Sequence, residues 1–374
     1  MSRALTVVAL LLASATGARG QADLRFETVS IREGLPQSFA TSVARDSLGF
    51  LWIGTSGGLA RYDGYQFDVF EPDPDDPASL PHPVVRDLLV ASDGVLWVAF
   101  NTAGAARFVP ETQRFERLPA GPAREGGLPN EQVFQMAEAS DGSVWFGTAS
   151  GAARLDPETG EMSHLRDGPG FAALSVTPGS DGAMWIAGSR GRLYLADAEG
   201  LTRVATLPAR QVEQVLAFGG WLWAVAESGL FRIDPASGAV RQFDDPVLLQ
   251  APRTLFAEPR GWLWIGTAAG FVLFDTASER VLTVRSNAPG NAIALPTATP
   301  TDVLFDRSGI FWVATGGAGV ASADFLTSRF PVYQARPGDS ASLASSSLRA
   351  IASDSASIWA GLNDAGLNRI DRET

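Results

Sequence analysis

The chain has 374 residues, 45% hydrophobic and 19% charged, which suits one large globular domain or two to three ordinary ones and excludes a disordered chain. Its net charge of −12 argues against nucleic acid as the main partner, because phosphate binding needs a basic surface. Cysteine is absent, which excludes disulfides and cysteine metal sites, and the 39 glycines and 23 prolines imply many turns between short elements.

The first segment has Arg3 as a positive start, an apolar run from Ala4 to Ala13, and small residues Ala18 and Gly20 before Gln21. This pattern predicts a secretory signal over residues 1–20. The apolar run falls short of the ~20 residues of a membrane span. A periplasmic mature chain is therefore expected.

From there one element recurs. Leu51-Trp52-Ile53-Gly54 returns seven times, around Trp97, Trp145, Trp185, Trp223, Trp264, Trp312 and Trp359, at spacings of 38 to 48 residues. Six or seven residues after each Trp stands a glycine: Gly58, Gly104, Gly151, Gly191, Gly229, Gly270, Gly319 and Gly366. An Asp follows in seven copies: Asp63, Asp156, Asp197, Asp234, Asp275, Asp324 and Asp371. A turn, often Asp-Gly, precedes the Trp, and Asp-Gly between apolar runs signals a tight hairpin. Each unit parses into four strands, A to D. In the third copy these are QVFQMAEA, SVWFGTA, AARLD and MSHLR. No stretch keeps a helical period. Four-stranded units of this length predict an all-β β-propeller, with the eight repeat tryptophans packed between blades.

The pattern V-x-x-x-x-D-x-x-G-x-L-W-I-G-T-x-x-G-G-L-x-R-Y-D resembles the two-component regulator propeller repeat, over nearly all of residues 24–374. The connections Pro74 to Leu80 and Pro337 to Leu343 are similar to that family's linkers, and FETVSIREGLP to its opening signature. The resemblance implies the extracytoplasmic sensor half of a histidine kinase or diguanylate cyclase. It also implies polysaccharide fragments as a ligand class, and a second propeller, a spacer, a membrane span and a cytoplasmic effector beyond these residues. LRFETVSIREGLP aligns with residues 113–129, so the chain opens on a D strand that closes the last blade. The expected layout is a seven-bladed propeller over residues 21–328, with residues 329–374 as the first blade of a truncated second one. A single eight-bladed ring is the alternative.

Catalytic motifs are missing: there are two histidines, no Gly-x-Ser-x-Gly, no His-Glu-x-x-His and no phosphate loop. No catalytic residue, metal site or cofactor is expected. A secreted lyase or glycan hydrolase, or a protein-binding scaffold, are the rival readings. His164 reads as a satisfied strand residue, and the run Glu71 to Pro77 as a solvated connector rather than a calcium loop. Arg61, Arg107, Arg154, Arg232 and Arg369 recur after the repeat glycine and read as blade-edge ion pairs before an anion ring. Trp221 and Trp262 break the symmetry and read as rim packing before sugar stacking. The D–A connections are long and share a face with the B–C turns. That face supplies the candidate ligand residues Asp75, Asp76, His82, Glu125, Asn130, Asn287 and Asn291. The expected partners are a small molecule or oligosaccharide and, as for many receptors, a second copy of the chain. Membrane contact would come only through missing C-terminal regions.

Overall fold

A computed structural model describes residues 26–371 except 180–181, 198–199, 259–260, 287–297, 307, 325–334, 336–341 and 355–356. The described residues fall into two compact units, within Asp23–Phe325 and within Leu326–Thr374.

The larger unit opens on β1 (Glu27–Val29). Blade 1 is β2 (Ala40–Arg45), β3 (Leu51–Thr55), β4 (Leu59–Tyr62) and β5 (Phe67–Phe70). Blade 2 is β6 (Val85–Val90), β7 (Leu96–Phe100), β8 (Ala105–Val109) and β9 (Arg114–Leu118). Blade 3 is β10 (Val133–Glu138), β11 (Val144–Thr148), β12 (Gly151–Leu155) and β13 (Met162–Leu165). Blade 4 is β14 (Ala173–Pro178), β15 (Met184–Gly188), β16 (Arg192–Ala196) and β17 (Leu201–Thr206). Blade 5 is β18 (Val212–Phe218), β19 (Trp221–Ala226), β20 (Gly229–Ile233) and β21 (Val240–Phe243). Blade 6 is β22 (Thr254–Glu258), β23 (Trp262–Thr267), β24 (Gly270–Asp275) and β25 (Arg280–Ser286). Blade 7 is β26 (Pro300–Phe305), β27 (Ile310–Thr315) and β28 (Gly319–Asp324), completed by β1 in the order β26-β27-β28-β1. Every pairing within a blade is antiparallel, and β1 is held by Glu27↔Ser322 through Val29↔Val320.

Each inner strand packs on the next, β2 on β6 and onward to β22 on β26, and β26 packs on β2. The core is correspondingly divided into seven apolar clusters, one at each junction between neighbouring blades. The sheets therefore close a seven-bladed β-propeller. This explains why the B strands read as continuous apolar runs: with a blade on either side, both faces of β3 and β11 are buried throughout. The smaller unit holds a three-stranded sheet, β29 (Leu348–Ser353), β30 (Ser357–Leu362) and β31 (Leu367–Asp371).

The repeat motif is accounted for residue by residue. Trp52 is 2% exposed and packs edge-on against Phe108 of blade 2 at 4.9 Å. Its Nε1 donates to Asp46 Oδ2 at 2.8 Å, while Asp46 Oδ1 accepts from the amides of Leu48 and Phe50. One carboxylate thus shapes the A–B turn and satisfies the buried indole. Asp306 does the same for Trp312, and Asp354 accepts from Trp359. Where that Asp is lacking, Glu258 serves Trp264, Ser143 serves Trp145 and the Phe218 carbonyl serves Trp223. Trp97, Trp145, Trp185, Trp223 and Trp264 are buried like Trp52, whereas Trp312 and Trp359 are half-buried. The threonine that follows in Thr55, Thr148, Thr267 and Thr315 donates its hydroxyl to the carbonyl of the repeat glycine, at 2.7–2.9 Å, which fastens the B–C turn. The glycine is required: Gly151 has φ +119°, and a Cβ there would stand 2.5 Å from the Leu165 carbonyl. The later Asp caps the C–D hairpin, as Asp63 does for Tyr65 and Gln66 and Asp156 for Glu158 and Thr159.

Candidate ligand-binding site

The recurrent arginines are engaged locally. Arg61 pairs with Asp68 at 2.6 Å and Arg107 with Glu116 at 2.5 Å, each across the C and D strands of its blade. Arg154 bridges Asp141 and Asp156, Arg232 pairs with Glu279 of the next blade, and Arg369 donates to Ser357 Oγ. Trp221, 37% exposed, lies under the Arg232 guanidinium at 4.2 Å, and Trp262 packs partly buried against the cluster between blades 6 and 7.

The described loop-face candidates are also tied into their surroundings. Asp76 accepts from Arg114 Nη1 at 2.9 Å and from the Ala78 amide, which fixes the first connector against blade 2. The Asp75 amide donates to Asp73, and His82 Nδ1 accepts from the Val84 amide. Glu125 lies in a 3-10 turn (Ala123–Glu125) and pairs with Arg124. Asn130 joins Ser150 of the B–C turn in blade 3 to the Gln132 amide. Asn287 and Asn291 lie outside the described residues. His164 Nε2 is held by the Gly127 carbonyl at 2.7 Å. None of the described candidates lines the axial cavity that opens on their face.

That cavity, about 490 Å³, opens on the axis where the inner strands begin, and all seven blades contribute to its wall. Its construction follows from a repeated irregularity. Six of the seven inner strands carry a β-bulge in their first turn, between Ala40 and Ser42, Val85 and Asp87, Val133 and Gln135, Ala173 and Ser175, Val212 and Gln214, and Pro300 and Asp302. The bulge re-aims a short polar side chain across the junction to an amide on the next inner strand. Asp302 Oδ2 accepts from Val43 at 2.9 Å, Asp87 Oδ2 from Met136 at 2.6 Å and Gln135 Oε1 from Val176 at 3.0 Å. Ser175 Oγ accepts from Val215 at 3.1 Å and Gln214 Oε1 from Leu255 at 2.6 Å. Among the described residues the girdle is interrupted after blade 6, whose inner strand has no bulge, and after blade 1, where the buried hydroxyls of Thr41 and Ser42 find no partner.

Two carboxylates stand in this girdle. Burial pushes Asp87 up to about 7, helped by the neighbouring charge of Asp302, and burial pushes Asp302 up to about 6. Arg86, Glu213 and Arg253 also line the cavity, with Arg253 3.7 Å from Glu213. Phe39, Phe134 and Leu174 supply its apolar wall. Charges of both signs, amides, hydroxyls and aromatic faces equip the cavity to hold a small polar molecule. Among the described residues no group of three His, Asp or Glu gathers as a metal site.

Residues 34–57 and 127–150, spanning the first and third A–B hairpins, match the model described as two component regulator propeller. The chain carries two-component regulator propeller repeats. A 55-residue stretch is 34% identical to histidine kinase P4 of Formosa agariphila, covering 15% of this chain and 4% of that kinase. Among solved structures, the extracellular domain of BT3049 from B. thetaiotaomicron, a protein assigned as a hybrid two-component system, superposes with a TM-score of 0.71 at 19% identity. That superposition covers 93% of this chain and 48% of the other, so the chain spans about half the length of that domain. The extracellular domain of BT4673 from B. thetaiotaomicron, assigned as a one-component system, gives 0.63 at 16% identity over 80% of this chain and 42% of its own. Virginiamycin B lyase of Staphylococcus aureus gives 0.63 at 17% identity, with 81% and 99% covered, which marks the fold as shared with an enzyme.

The loop candidates expected from the sequence lie on the D–A connections, whereas the cavity is walled chiefly by the starts of the inner strands. A signal was present. Ten residues before the repeat Trp stand Ser42, Asp87, Gln135, Ser175, Thr254 and Asp302, and nine before it Gln214. Every one is a hydrogen-bonding residue near the start of an inner strand.

Proposed function

We propose that this chain is the ligand-sensing propeller of a bacterial signal-transduction receptor of the two-component type. Residues 1–20 export it to the periplasm, residues 329–374 begin a second propeller, and effector and membrane segments belong to the rest of the receptor. The observation that carries this reading is the regulator propeller match, on two repeats of a ring whose fold is that of extracellular domains of signalling systems. Among the described residues no helix is long and apolar enough to cross a membrane. Ligand would enter the axial cavity from the D–A face and act through differential affinity for two receptor states, in a pair of chains. Small molecules or oligosaccharides are the ligand class, and no cofactor takes part.

The test is a thermal-shift screen of the purified chain against oligosaccharides and small metabolites, followed by kinase or cyclase output of the natural full-length protein. A ligand that raises the melting temperature and changes output supports the receptor. Cleavage or elimination of that ligand by the purified propeller would instead place it with the lyases.

A further inference from the structure

Asp87 and Asp302 come from blades 2 and 7, either side of blade 1, and both line the axial cavity, where the charge of Asp302 acts on Asp87. Neither forms an ion pair with a described residue. Each is held by an amide of the next blade, Met136 for Asp87 and Val43 for Asp302, so neither can swing out to solvent without breaking an interblade bond. Two partly buried carboxylates whose like charges act on one another are costly to ionise together, and the pair relieves the cost by holding protons or by meeting a cation. The remaining charged groups on the cavity supply that cation only in part, Arg86 being the last and smallest of the charges that act on Asp87. Arg253 is opposed by Glu213 of β18, and the Arg86 guanidinium lies over the Phe134 ring at 5.6 Å. The wall residues contributed by β2, β10 and β14 include no titratable side chain. On blade 1, between blades 7 and 2, the Thr41 hydroxyl lines the same cavity, buried and without a partner among the described residues.

We infer that the axial cavity takes a small organic cation, with its ammonium group between Asp87 and Asp302 and its apolar part against Phe39 and Phe134. Three features distinguish this guest from a bare metal ion. The cavity is about 490 Å³, room for a molecule of many atoms. Two carboxylates and a hydroxyl fall short of the oxygen shell that calcium or magnesium demands. Phe39, 45% exposed at the cavity mouth, offers an aromatic surface suited to cation–π contact. Binding displaces the protons the pair holds, so affinity rises as the pH passes upward through the range in which Asp302 and then Asp87 ionise. The inference rests on the reading of this cavity as the sensor site and adds the chemistry of what enters it.

Isothermal titration of the purified chain with benzylammonium, against benzyl alcohol as the neutral counterpart, tests it at pH 5 and pH 8. Benzylammonium, charged at both pH values as a lysine ammonium is, should bind at pH 8 and ~10-fold or more weakly at pH 5. Benzyl alcohol should bind ~10-fold or more weakly than benzylammonium at pH 8. The double substitution Asp87→Asn, Asp302→Asn keeps an oxygen for each amide and should abolish binding. If that variant does not fold, the pH and neutral-probe comparisons on the unsubstituted chain decide. Equal binding of the two probes, pH-independent binding, no benzylammonium binding at millimolar concentration, or calcium chloride displacing it at lower concentration would each overturn the cation site. A neutral molecule that binds the cavity and drives full-length output would do so while leaving the receptor reading intact. Loss of the receptor reading through absent output would leave the cation titration unaffected.

Discussion

Truncating Trp52 to alanine removes the ring that fills the junction between blades 1 and 2. The side chain is 2% exposed, lies edge-on to Phe108 at 4.9 Å, stacks on Phe70 at 5.7 Å and has the Arg61 guanidinium 5.6 Å from its centre. Loss of a large buried aromatic costs about 3–5 kcal/mol, including the void it leaves. The Asp46 oxygen that accepts the indole N–H loses a partner as well. For a unit of this size about 2 °C accompanies each kcal/mol, so the melting temperature should fall by roughly 6–10 °C. Trp52→Phe keeps most of the apolar volume and forfeits the indole hydrogen bond, for about 1–2 kcal/mol. Urea unfolding followed by near-ultraviolet circular dichroism measures both. The reasoning fails if Trp52→Phe costs as much as Trp52→Ala. It fails also if Trp52→Ala leaves unfolding unchanged while abolishing ligand binding, because the ring would then be a recognition element.

Thr148→Val deletes the hydroxyl that donates to the Gly151 carbonyl and accepts from the Ser150 amide, and should cost about 1–3 kcal/mol by urea midpoint. Gly151→Ala meets both a forbidden φ and the Leu165 carbonyl, and should cost about 2–3 kcal/mol in the same measurement. The pH dependence has a defined sign. Asp87 and Asp302 titrate higher in the folded than in the unfolded chain, so the folded state holds more protons. Their contribution to stability is therefore greatest below about pH 4 and declines as pH rises through about 6 and 7. Asp63, Asp156 and Asp234, lowered chiefly by turn amides, act oppositely and lose their contribution as pH falls through their depressed values. Melting temperatures should drop between pH 5 and pH 8, and Asp87→Asn should flatten that drop. A rise over the same interval would contradict the placement of these carboxylates.

The architecture was legible because the demands of a blade are local and repeat. A buried tryptophan needs an acceptor, the B–C turn needs a left-handed glycine clasped by threonine, and the C–D hairpin needs an Asp cap. Trp52, Thr55, Gly58 and Asp63 answer those needs within one short stretch. The axial wall was less legible because its repeat is one of role. Serine, aspartate and glutamine at the inner-strand bulge share only the capacity to reach the next blade, and the partner amide lies some 40 or more residues away. Asp302 reaches Val43 across 259 residues, a relation visible only once the ring has closed. The loop candidates were chosen by polarity and position alone. Asn130 and Asp76 show how such residues are consumed by holding connectors in place.

The strand Glu27–Val29 has a consequence for how the molecule is made. It is among the first described residues to be synthesised, yet its partner Val320–Ser322 arrives almost 300 residues later. Joining ends so far apart costs about 3 kcal/mol more in chain entropy than closing a 15-residue hairpin. Three residues of pairing cannot offset that alone, so the latch holds only when all seven junction cores have formed. The ring is therefore expected to assemble blade by blade and to gain its final cooperativity in one late step. Until then β28 presents an open edge to any extended segment nearby, and the chain's own N-terminus competes with foreign strands for it.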